Sequence, residues 1–72
     1  MAKLTKTYLY TESVGGFYQW HIYKIVDAMG QTYYAAHPVG HGISELADNL
    51  EDIKPKLEKQ VPILNRFLQK VR

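Results

Sequence analysis

One feature constrains this chain more than any other: a row of apolar residues holds a single helical phase through two prolines. Ile43, Leu46, Leu50, Ile53, Leu57, Val61, Leu64, Leu68 and Val71 fall within about 80° of one another when plotted at ~100° per residue. Pro55 and Pro62 interrupt the same stretch. Proline suits the first turn of a helix and kinks or breaks its interior. A continuous helix of about 30 residues would be ~45 Å long, whereas a seven-residue strand spans only ~23 Å. Residues 43–72 therefore predict one kinked helix or two short ones. Any part that a small sheet cannot cover would pack on another copy. Ser44 is the expected N-cap.

Upstream the apolar period changes. Leu4–Thr11 and Phe17–Val26 are rich in β-branched and aromatic residues and read as strands. Thr32–Ala36 reads as a third, ended by Pro38. Ser13-Val14-Gly15-Gly16 and Asp27-Ala28-Met29-Gly30 supply the turns, the second with glycine at the left-handed position. The fold class expected is α+β in a single domain. Residues 1–37 would form a three-stranded antiparallel β-meander, 38–42 a linker and 43–72 the helical part.

Simple hairpin registers set Leu9 beside Trp20, Thr7 beside Ile22 and Ile22 beside Ala36. One face then carries Leu9, Tyr18, Trp20, Ile22, Val26 and Tyr34, a core for the helix to cover. The other carries Tyr8, Tyr10, Phe17, His21, Tyr23, Ile25, Tyr33 and His37. A face turned to water would alternate to polar residues. A contiguous aromatic face instead reads as a surface for a partner or a second copy, tyrosine being a common interface residue. The competing reading folds the C-terminal helix over it. The partner-binding residues expected are Tyr8, Tyr10, Phe17, His21, Tyr23, Tyr33, His37, His41 and Glu45.

Size and composition narrow the function. A chain of 72 residues without cysteine has no disulfide staple, and a core this small gains from oligomerisation, so a homodimer is expected. No apolar run approaches ~18 residues, and the first residues lack a signal-peptide core, so membrane association is not expected and the cytoplasm is. The net charge is +2, but residues 43–53 carry four acids and residues 54–72 six bases against Glu58. That order matches the helix macrodipole, or forms a basic tail for an acidic partner.

Site chemistry is sparse. His37, His41 and Glu45 recur at four-residue spacing, and His21 could lie across the strands from His37. However, Pro38, Gly40 and Gly42 make that segment a loop, so the spacing does not aim three ligands at one point. No metal site is expected. There is no nucleophile elbow and no spaced acid pair, and no phosphate or dinucleotide loop. Neither catalysis nor a cofactor is expected. Nucleic-acid binding by the sheet and the basic C-terminal segment is the alternative, weakened because the strands carry only Lys6 and Lys24 for phosphates.

The run Asp27-x-x-Gly30-x-x-Tyr33-Tyr34-x-x-His37, followed by Gly40 and Ser44-Glu45, resembles a stretch of the small phage-encoded uracil-DNA glycosylase inhibitors. Those are dimeric proteins of similar size, with a hairpin followed by a helix, that block an enzyme by imitating DNA. The resemblance spans residues 27–45. It implies an inhibitor or regulator of a host protein, with Tyr33, Tyr34, His37, Ser44 and Glu45 near the inhibitory surface. This chain departs from the family in being mildly basic and in its proline-interrupted tail.

Overall fold

The computed structural model describes the backbone of residues 3–71 and the side chains of residues 3–68; Lys70, Val71 and Arg72 of the expected tail lie outside the described side chains. The architecture is α+β. Strands β1 (Thr5–Val14), β2 (Tyr18–Val26), β3 (Thr32–Pro38) and β4 (Glu45–Ala47) form an antiparallel sheet in the order β1-β2-β3-β4. A 3-10 turn, Leu50–Asp52, leads into helix α1 (Ile53–Val71). The expected second turn forms: Gly30 N–H donates to the Asp27 carbonyl at 3.0 Å with Gly30 at φ +83°. The Asp27 carboxylate accepts from the Met29 and Gln31 amides.

The core lies between one face of the sheet and α1. Trp20 and Ile22 of β2, Ala36 of β3 and Ile53 and Leu57 of α1 are buried there together, with Val14, Tyr18 and Ala47 around them. The Tyr18 hydroxyl donates to Asn65 Oδ1 at 2.6 Å and ties the far end of the helix to the sheet. The sheet is longer than a seven-residue strand allows, since β1 has 10 residues and β2 has 9, or about 30 Å at 3.2–3.4 Å each. The 19-residue helix is about 28 Å long, so sheet and helix match.

Two expectations need correction. The sheet has four strands, not three. The helical part begins at the 3-10 turn, not at Ser44, and the expected linker runs on into β4. Residues 43–47 are extended because their backbone is claimed by other partners. Ile43 N–H donates to Gln60 Oε1 at 3.0 Å, and the Ile43 carbonyl accepts from Gln60 Nε2 and Trp20 Nε1, both at 3.1 Å. Glu45–Ala47 pairs with Tyr34–Ala36. Of the two arrangements expected for the prolines, the single helix is the one found: α1 continues through Pro62. Pro55 and Pro62 are both exposed while Ile53, Leu57 and Gln60 are buried. Pro55 sits in the first turn, where its missing N–H has no partner to lose. Pro62 leaves the Glu58 carbonyl without its usual helical donor, and both residues lie on the exposed side of the helix.

The helix is held close to the chain that precedes it. Gly42 has φ +116°, and a Cβ there would lie 2.8 Å from Trp20 Cζ2 and 3.2 Å from Gln60 Oε1. Gly42→Ala combines backbone strain with a clash against a buried ring, and is expected to cost about 2 kcal/mol or more. Gln60→Leu strands the Ile43 amide and is expected to cost about 1–3 kcal/mol. Urea denaturation followed by circular dichroism measures both, with Gly40→Ala, which meets nothing within 4 Å, as the control for φ strain alone.

Candidate functional site

The face of the sheet away from α1 carries the candidate site. The register puts Tyr8 opposite Tyr23, Lys6 opposite Ile25, His21 opposite His37, Tyr23 opposite Ala35 and Ile25 opposite Tyr33. Paired residues share a face. None of these residues belongs to the core cluster on the helix side. The helix therefore covers one face and leaves this one open, and the reading in which it folds over the aromatic face does not hold for the described residues.

The rings form a connected layer. Tyr8 meets His21 and Tyr23 edge-on at centroid distances of 5.7 and 5.8 Å. Tyr23 leans on His37 at 5.1 Å. The Lys6 ammonium stands 4.4 Å from the centroid of the Tyr23 ring, a cation–π contact. A hydroxyl chain runs along the margin: Tyr8 OH and Thr11 Oγ1 share a hydrogen bond at 2.7 Å, and Thr11 Oγ1 and His21 Nδ1 another at 2.9 Å. At the opposite margin His37 Nδ1 and Ser44 Oγ are 3.2 Å apart. Beneath the rings, Ala35 and Ile25 are buried, so the layer has a packed floor. Its upper surface is accessible, with Tyr8 53% and Leu46 56% exposed.

Of the residues expected in a binding site, Tyr8, His21, Tyr23, Tyr33 and His37 are brought together on this face. Tyr10, Phe17, His41 and Glu45 are not. The pairing shifts by one residue between Tyr8 and Tyr10, so Leu9 forms a bulge and everything after it in β1 changes face. Tyr10 pairs with Ile22 and joins the helix side, where burial and then the Glu12 carboxylate push its hydroxyl pKa up. The same shift removes Leu9 from the expected core and leaves it 38% exposed. Phe17 lies in the turn before β2 and packs edge-on against Tyr18 at 5.2 Å. His41 is exposed in the loop after β3. Glu45 pairs with Ala36 on the helix side and accepts from Gln60 Nε2 at 2.8 Å.

Sequence reasoning missed Lys6, Thr11 and Leu46; Ser44, which the resemblance placed near the surface, does reach it, against His37. Lys6 was available from alternation with Tyr8. Thr11 was concealed by the bulge. Leu46 was concealed by the helical phase assigned to it.

Among the described residues no three of His, Cys, Asp and Glu converge as metal ligands, and no described helix is long and apolar enough to cross a membrane. No family model, curated protein or solved structure matches the chain.

The electrostatics of the face centre on His37. Burial first, then the Lys6 ammonium and His21, lower its pKa below the ordinary 6.5. The unfolded chain thus takes up this proton at a higher pH than the native state does. Between the two pKa values the unfolded state binds more protons, so stability falls as pH drops below about 6.5 and levels off below the native pKa. Urea midpoints of the wild type should fall between about pH 7.5 and about pH 5, and His37→Gln should lose part of that dependence.

Proposed function

We propose that this chain is a small non-enzymatic protein-binding module, acting in the cytoplasm as an inhibitor or regulator of a partner protein, in the manner of phage or mobile-element antagonists of host proteins. The carrying observation is the open face itself. Tyr8, Tyr23, His21, His37, Tyr33 and Leu46 form a rimmed aromatic layer over a packed floor, on the side of the sheet that α1 leaves bare. Flat tyrosine-rich surfaces with a polar margin suit protein contacts, since each ring offers area and a hydroxyl at low entropic cost. Self-association through the same face would make the homodimer, and a heterologous partner would displace it.

A second reading, nucleic-acid binding, is favoured by the same rings, on which bases can stack. Charge argues against it. The bases Lys54, Lys56, Lys59 and Arg66 belong to α1, on the other side of the sheet, and the register puts Lys6 alone among the strand lysines on the open face.

Tyr23 is the central anchor, touching Tyr8, His37 and Lys6. Tyr23→Ala is expected to weaken binding to a purified partner by about 30-fold or more, about 2 kcal/mol, with a melting temperature close to wild type. Light scattering over a wide concentration range tests the dimer arm in the same pair of proteins. Unchanged binding and unchanged mass in Tyr23→Ala would overturn the reading. Tight oligonucleotide binding that collapses with added salt would replace it with the second.

A further inference from the structure

We propose that His21 and His37 form a two-imidazole chelate for a divalent transition metal of the copper, nickel and zinc class on the open face of the sheet. The proposal does not depend on the protein-binding reading.

The backbone sets the two ligands. His21 and His37 are direct partners across β2 and β3. Asp27 N–H donates to Gln31 O, and Val39 N–H to Gln19 O. Both bonds lie in the same register as the 21–37 pair and an even number of residues from it, which makes His21 and His37 a ladder-bonded pair with Cα atoms about 5.5 Å apart. Two nitrogens bound tetrahedrally to one metal at ~2.0–2.1 Å sit about 3.3 Å apart. Imidazoles on directly paired strand residues have the reach to bring one nitrogen each to that spacing.

Each Nδ1 faces a hydroxyl, Thr11 Oγ1 at 2.9 Å and Ser44 Oγ at 3.2 Å. Thr11 Oγ1 also shares a hydrogen bond with the Tyr8 hydroxyl. A hydroxyl accepting from Nδ1–H leaves the lone pair on Nε2, the arrangement that metal-binding histidines use. His37 Nε2 is buried and has no hydrogen-bond partner. A buried polar nitrogen left unpaired calls for an ion or a water, and a metal shared with His21 supplies what it lacks. Imidazole suits copper, nickel and zinc, and with no carboxylate in the pair the site offers nothing to magnesium or calcium. The remaining coordination positions go to water or to a side chain of whatever docks on the face.

One group opposes the cation. Lys6 places an ammonium over the neighbouring Tyr23 ring, and its repulsion lowers metal affinity without touching either ligand. Lys6→Gln should therefore tighten binding at least about twofold, an effect that a chance surface histidine elsewhere in the chain would not show.

The test is titration of tag-free, N-terminally acetylated protein with copper, nickel and zinc chlorides by calorimetry at about pH 7.5, where neutral imidazole dominates. The expected result is one metal per chain, copper tightest in line with the usual order. His21→Asn and His37→Asn should each lose at least about tenfold in affinity, and His41→Asn none. A Kd above about 1 mM for copper, or equal affinity in all three variants, would overturn the proposal. Sub-stoichiometric copper added to the unmutated protein reads the same question without altering the fold. Selective broadening of the His21 and His37 imidazole resonances supports the chelate, and equal broadening at His41 defeats it.

Discussion

The carbonyl and amide of Ile43 are the point on which this small fold turns. A single buried side chain, Gln60, accepts from the amide and donates to the carbonyl, and its Nε2 also reaches Glu45. The indole of Trp20, the largest fully buried side chain, donates to the same carbonyl. Helix, sheet and connecting loop thus meet at one residue's backbone. In water these bonds would exchange for others at little net gain, but here they are partly buried between Trp20 and Gln60, so leaving one unmade carries a share of the desolvation cost. That asymmetry makes the arrangement specific. Residues 43–47 cannot wind into a helix without surrendering partners that nothing else supplies.

Once that segment is held extended, the rest follows. Glu45–Ala47 adds a fourth strand beside β3, and Leu46 turns to the open face. The helix then starts at Ile53 and has the length of the strands it covers. With its apolar stripe spent on Trp20, Ile22 and Ala36, no second apolar layer remains within the described chain for the other face. The uncovered aromatic layer is therefore a consequence of how the core is completed, and its rings partly shelter one another through edge contacts, cation–π contact and a hydroxyl margin.

Much of this was legible in the sequence. The composition of the first half specified strands, the Asp27–Gly30 turn specified the second hairpin, and the Ile22–Ala36 pairing followed from it. Alternation along β2 and β3 separated Trp20 and Ile22 from His21, Tyr23, Tyr33 and His37. Two things were not legible. The bulge at Leu9 has no local signature, because Tyr8, Leu9 and Tyr10 are all good strand residues; only the competition between both halves of β1 for a single β2 fixes it. The helical phase of Ile43, Leu46 and Leu50 was real as a pattern and wrong as a structure, because tertiary hydrogen bonds to Gln60 and Trp20 outweigh periodicity. The prolines left one helix or two open in the sequence, and the structure has one. Their spacing places both on the water side of α1, where a lost backbone bond costs little.

The bulge also bears on how such a sheet edge avoids pairing with another chain. β1 is a ten-residue edge strand, mostly exposed along its length, and long regular edges recruit further strands into fibrillar assemblies. Leu9 breaks that template near its middle. A second chain approaching the edge meets two half-registers of opposite facing rather than one ladder, and Lys6 sets a charge in the first of them. The irregularity that moves Tyr10 off the open face thus also guards the molecule against stacking edge to edge, leaving association to side chains that can be selective rather than to a backbone that cannot.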